Sequence, residues 1–105
     1  MKGEVVVIPF PFSDLTCSKR RPALVIADRG GADVMLCQIT SQGKCDGREV
    51  GLSRRDLASG GLPIDSNIRP NKVFTADRRI IRSVAGRITP AKYKEVVKGI
   101  VALIS

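Results

Sequence analysis

What most constrains this chain is the grouping of its apolar residues. Up to residue 90 they come in short runs rich in β-branched side chains, each cut off by proline, glycine or a polar cluster. Runs of that kind suit strands and are too brief for globular helices. Val5-Val6-Val7-Ile8, bounded by Pro9 and Pro11, reads as a short buried strand that stops or reaches a sheet edge at the prolines. Residues 13–21 are polar and aperiodic and end at Pro22, where Ala23-Leu24-Val25-Ile26-Ala27 starts a second strand. Asp28-Arg29-Gly30-Gly31 supplies a turn, and residues 34–40 return as a third strand, so that 5–40 is expected to be a meander.

The middle is irregular. Residues 42–47 and Ser59-Gly60-Gly61 are turn-rich, a brief strand fits 49–52, and Arg54-Arg55-Asp56-Leu57 reads as a turn of helix or a loop. Strands are expected at 67–76, interrupted by Pro70, and at 80–88, interrupted by Gly86. Beyond them the period changes. Thr89 is placed to cap a helix with Pro90 at its first position, and Tyr93, Val96, Val97, Ile100, Val101 and Ile104 recur at spacings of three and four. Gly99 inside that helix costs about 1 kcal/mol relative to alanine and points to close packing or a weak spot. Five or more short strands and one terminal helix give an α+β chain. A small, strongly bent SH3-like antiparallel β-barrel with a C-terminal helix fits, as does an open antiparallel sheet.

At 105 residues the chain is one domain, 1–105, with room for one core and no separate cofactor lobe. No apolar run approaches the roughly 18 to 20 residues that span a bilayer, and the N-terminal apolar stretch is too short for a signal peptide. A cytoplasmic location with no membrane partner is expected. The net charge is +8, and it is uneven: residues 1–53 carry 7 basic and 6 acidic groups, residues 54–105 carry 11 and 4. A basic half of this kind suits a phosphate-rich partner, with a merely solvated surface as the alternative.

Histidine is absent. Serine- or cysteine-histidine catalysis is therefore excluded, and acid-base work falls to a perturbed carboxyl, lysine or thiol, or to positioned arginine and hydroxyl groups. Cys17, Cys37 and Cys45 are odd in number and widely spaced, which supports neither a zinc site nor a disulfide framework. Cys37 reads as a buried small hydrophobe and Cys17, beside Lys19, Arg20 and Arg21, as an exposed thiol.

A family resemblance emerges from the order of several short motifs. Gly3-Glu4-Val5-Val6, then Lys19-Arg20-Arg21-Pro22-Ala23-Leu24-Val25, then Gln38-Ile39-Thr40-Ser41, then Gly61-Leu62-Pro63 and Arg69-Pro70-Asn71-Lys72-Val73-Phe74-Thr75-Ala76-Asp77 together resemble the MazF/PemK toxins. The resemblance implies a CcdB/MazF-type barrel and a homodimeric ribonuclease of a toxin–antitoxin pair. It further implies cleavage of single-stranded mRNA by 2′-OH attack with no metal or other cofactor, and neutralisation by an acidic, partly disordered antitoxin. Arg21 and Thr40 take the places of the family's catalytic arginine and threonine, with Ser41 beside them. That assignment suits the chemistry. The RNA brings its own nucleophile, so the protein must supply position and charge, and a planar guanidinium offers a fork of donors to phosphate oxygens.

Two departures from the family pattern bear on the acid and base. The better-known branches carry a glutamate and glycines in the loop before the Arg-Pro pair, whereas this loop reads Asp14-Leu15-Thr16-Cys17-Ser18-Lys19-Arg20, with Asp14 the nearest acid. Asn71 stands where some members have an acid and where the PemK branch has its proposed base, and an amide takes up no proton. The base is then Arg21 acting with Thr40, as in the MazF branch, or a carboxylate with a raised pKa, Asp77 or Asp14. For binding, Lys19, Arg20, Lys72, Arg78, Arg79 and Arg82 are candidates to track the RNA backbone or to face the antitoxin, and Phe10 and Phe12 to meet a base. Phe10 and Phe12 as core residues is the competing reading, and Phe74 and Tyr93 are expected to pack inside. Two rivals share the fold: a gyrase-poisoning toxin, whose relatives carry a C-terminal tryptophan absent from this chain's Ala102-Leu103-Ile104-Ser105 ending, and a non-catalytic nucleic-acid binder.

Overall fold

The computed structural model describes residues 2–11, 18–40, 49–61 and 66–105. Seven strands and one helix follow in order: β1 (Glu4–Pro11), β2 (Ser18–Ala27), β3 (Asp33–Thr40), β4 (Val50–Leu52), β5 (Leu57–Gly60), β6 (Ser66–Asp77), β7 (Ser83–Ile88) and α1 (Pro90–Ile104). All pairings are antiparallel, in the order β4-β6-β3-β2-β1-β7-β5, and the sheet curls into a nearly closed barrel. The barrel reading of the sequence holds over the open sheet. The prolines of β1 are accommodated as expected: β7 covers β1 only as far as Val7, so Pro9 and Pro11 lie where β1 has β2 as its one neighbour.

Alternation along the strands buries both faces of the sheet. One face carries Val5, Leu24, Cys37, Ile39 and Ile68, and α1 lies over it through Val96. The opposite face carries Val6, Ile8, Ala23, Val25, Val34 and Leu36, with Phe74, Ile80 and Ile81 packed against them. Cys37 is fully buried, and burial pushes its thiol up to about 12, so it stays protonated and donates to the Arg69 carbonyl (2.9 Å). Thr89 caps α1 as expected, its hydroxyl accepting from the Lys92 N–H at 3.2 Å. Tyr93 packs inward, its hydroxyl donating to the Ile26 carbonyl at 2.5 Å.

Two segments differ from the sequence reading. Ser59-Gly60-Gly61 is not simply a turn, because residues through Gly60 form β5 against β7. The strands cross so closely that a Cβ on Gly86 would stand 2.5 Å from the Ser59 carbonyl oxygen. The expected strand over 80–88 begins only at Ser83. Asp77 caps a 3-10 turn at Arg78–Ile80 by accepting from the Arg79 N–H (2.8 Å), and the chain re-enters the sheet after it.

Candidate active site

The site follows from strand register. Ile8 pairs with Arg21 across β1 and β2, and Ala23 pairs with Gln38 across β2 and β3. Continued by two residues, that second register sets Arg21 across from Thr40. Thr40 in turn pairs with Asn67 of β6, and Asn67 with Gly51 of β4. Ile8 and Arg21 thus form one cross-strand pair, and Thr40, Asn67 and Gly51 a run across three strands, the two brought into one row by continuing the β2–β3 register past Ala23. Cross-strand partners point to the same face, and adjacent strands lie about 4.8 Å apart, so the guanidinium stem and the threonine hydroxyl share a surface within side-chain reach. It is the face opposite α1, at the end where its apolar cluster gives way to polar side chains.

Arg21, Gln38, Thr40 and Asn67 are each half-buried, and the Nε atom of Arg21 is shielded from solvent. Such a guanidinium has little freedom to lose on meeting an anion. The arrangement can hold a phosphodiester: the guanidinium fork toward two phosphate oxygens and a hydroxyl, donor and acceptor in one, beside it. Gln38 and Asn67 were not singled out in the sequence. Gln38 follows from Thr40 by strand alternation, whereas Asn67 has no sequence signal, because β6 carries extra residues between its Ile68↔Ile39 and Val73↔Cys37 pairings.

The structure brings some other candidates near and removes others. Asp77 pairs with Asp33 at the far end of β3, seven residues from Thr40, which is about 23 Å along a strand. Its carboxyl is held at about 2 by the side-chain and backbone hydrogen bonds of Arg79, opposite in direction to a neutral-pH base. Asp77 is therefore corrected from a supporting acid or base to a structural cap. Arg79 is committed to Asp77 (2.9 Å), and Arg78 grips the Asp28 carboxylate with both terminal nitrogens and donates to the Gly31 carbonyl (3.0 Å). Arg78 ties the far end of β6 to the β2–β3 turn, whereas Arg79 keeps a largely exposed side chain beside its local partner Asp77.

Arg20 is exposed, and alternation turns it to the face opposite Arg21. Lys19 pairs through its backbone with Phe10. Lys72 and Arg82 are exposed, the latter with its N–H on the Val7 carbonyl at 2.8 Å. Phe12, Asp14, Cys17 and Ser41 lie outside the described residues. Among the described residues no three His, Cys, Asp or Glu side chains converge as metal ligands.

A family model of the PemK-like, MazF-like toxins of type II toxin–antitoxin systems matches residues 1–104. The chain belongs to this toxin family. Solved structures agree in fold. An endoribonuclease in complex with its cognate antitoxin, from a mycobacterial species, superposes with a TM-score of 0.76 at 16% identity, covering 99% of this chain and 91% of that one. A MazE-MazF structure from Deinococcus radiodurans gives 0.77 at 21%, covering 97% and 92%, and the Mycobacterium tuberculosis toxin MazF-mt6 gives 0.75 at 16%, covering 96% and 95%. A comparison with curated proteins gives no sequence match. In this PemK/MazF chain no described helix is long and apolar enough to cross a membrane.

Proposed function

We propose that this toxin is a sequence-specific endoribonuclease that cuts single-stranded mRNA without a metal, leaving a 2′,3′-cyclic phosphate and a 5′-hydroxyl. The observation that supports the reading is the β2–β3 register, which, continued two residues past Ala23↔Gln38, would set Arg21 across from Thr40, both half-buried. In this scheme the 2′-OH of the RNA attacks the neighbouring phosphorus and the bond to the leaving 5′-oxygen breaks. Arg21 meets the charge that gathers on the phosphate oxygens, and the Thr40 hydroxyl orients the same group. With Asp77 distant and Asn71 unable to take a proton, Arg21 acting with Thr40, or Asp14, takes the proton of the attacking hydroxyl, and the departing 5′-oxygen takes up one proton, from that group or from water, to become the 5′-hydroxyl. The protein works as a cytoplasmic homodimer, and an acidic, partly disordered antitoxin neutralises it by covering this cationic surface. The net charge of +8 and the relatives solved with antitoxins support that partner.

The test is cleavage of single-stranded RNA by purified protein in EDTA. Wild type is expected to yield cyclic-phosphate ends, and Arg21→Ala to be slower by about 10²- to 10³-fold, the usual loss of one preorganised donor. An Arg21→Ala protein cutting at the wild-type rate overturns the mechanism. RNA that is bound with a steep salt dependence yet left intact by wild type means a non-catalytic binder instead.

A further inference from the structure

The catalytic row does not end on a flat edge. Past Thr40 it runs into a shallow groove of about 340 Å³ lined by Gly51, Leu52, Ser53, Asp56, Ser66 and Asn67. Leu52 aside, the side chains here are polar or absent, on a sheet whose two faces are otherwise apolar over much of their extent. Asp56 is fixed in place. Its Oδ2 accepts from the Ser53 N–H at 2.8 Å and from the Ser53 hydroxyl at 3.1 Å, and Lys92 Nζ stands 3.7 Å from Oδ1. Burial acts to raise the Asp56 pKa, yet the Ser53 and Lys92 contacts bring it below the ordinary carboxylate value, so the group is an anion at neutral pH. Asn67 is half-buried, and among the described residues no hydrogen bond engages its side-chain amide.

We propose that this groove seats the base of the nucleotide adjoining the scissile phosphate and selects one that carries an exocyclic amino group beside an acceptor ring nitrogen on its Watson–Crick edge, adenine or cytosine, over uracil. The proposal rests on the ribonuclease reading above. Asn67 lies two strand spacings from Arg21, about 10 Å, so a phosphate held at Arg21 brings the neighbouring base over the groove. An asparagine amide, one donor and one acceptor side by side, pairs bidentately with an amino group and the ring nitrogen next to it. A carboxylate accepts a second amino hydrogen strongly but repels the carbonyl oxygen that uracil presents in its place. Asn67 and Asp56 together therefore discriminate where the amide alone, which reverses to suit uracil, does not. Single-stranded RNA is the form whose bases are open to such reading.

The test sequences the 5′ ends of fragments that wild type, Asn67→Ala and Gly51→Val release from a randomised RNA library. The quantity read is the ratio of adenine or cytosine to uracil at the position beside the cut, not the rate. Gly51→Val narrows the groove without straining the fold, because a Cβ there meets nothing within 4 Å and β-branched residues suit strands. Wild type is expected to favour adenine or cytosine about 5- to 100-fold, in line with one bidentate contact, and both variants to lose most of that preference. A wild-type preference for uracil at that position, or an adenine or cytosine preference unchanged in both variants, overturns the proposal. If wild type cuts no RNA, the ribonuclease reading fails first. The groove is then read by NMR titration with 5′-CMP and 5′-UMP: shifts at Asn67 with CMP alone uphold base selection, and equal or absent shifts refute it.

Discussion

Gly86→Ala should damage this protein far more than an exposed glycine-to-alanine change, and the structure fixes the reason. A methyl group on Gly86 would lie 2.5 Å from the Ser59 carbonyl oxygen and 3.3 Å from Gly60 Cα, both backbone. No rotamer change relieves such a contact, so β5 must move as a strand. Being four residues long and at the sheet edge, it would peel from β7, loosening the Gly61 N–H bond to the Ala85 carbonyl (3.1 Å). Overpacking costs typically about 1–3 kcal/mol, and a backbone obstacle puts this case in the upper part, about 2–3 kcal/mol. At about 4 °C per kcal/mol or more for a domain of this size, Tm should fall by about 8 to 20 °C. Gly31→Ala is the control: it meets nothing within 4 Å and should change stability by less than about 0.5 kcal/mol. Thermal unfolding followed by circular dichroism decides it. Equal melting of the two variants would refute the close crossing of β5 and β7.

Three further outcomes are expected. Thr40→Val keeps shape but loses the hydroxyl and should slow RNA cleavage at least about tenfold, whereas Thr40→Ser should retain most of it; equal rates for the two remove the hydroxyl from the chemistry. Asp28 and Asp77 both titrate below the ordinary carboxylate range when folded, mainly through the side-chain hydrogen bonds of Arg78 and Arg79. Their contribution is thus complete above the unfolded pKa near 3.9 and lost as pH falls toward the folded values. Wild-type Tm should drop between about pH 4 and pH 2 more steeply than that of an Asp28→Asn, Asp77→Asn double variant, and parallel curves would count against these ion pairs. In α1, Gly99→Ala would ordinarily gain about 1 kcal/mol, but its methyl would press on Pro70 Cγ at 3.3 Å, so Tm should stay nearly level; a clear rise would show that helix and proline separate freely.

How much was legible depended on whether the information was local. The meander of β1, β2 and β3 and the helix α1 declare themselves through periodicity and punctuation, signals contained in windows of about ten residues. β5 did not, because Gly60 reads as a turn residue until the partner strand that crowds it is in place. Arg21 and Thr40 were reached through family motifs, and the register of β2 and β3 would bring them together only if continued beyond Ala23↔Gln38. Asn67 escaped notice because the extra residues of β6 break the count that would have aligned it with Thr40. Asp77 erred the other way as a candidate acid or base, and Arg78 and Arg79 travel with it. They adjoin a motif in sequence, but a long strand carries them to the opposite end of the sheet, where opposite charges absorb them.

Ile8, 1% exposed, is paired with Arg21. The Arg21 side chain is thus flanked by hydrocarbon at its stem while remaining half-exposed. Water screens a charge only where water can reach, so the field of this guanidinium is shed chiefly outward. A passing polyanion feels it before any bond forms, and added salt should slow capture more than it slows whatever happens after capture.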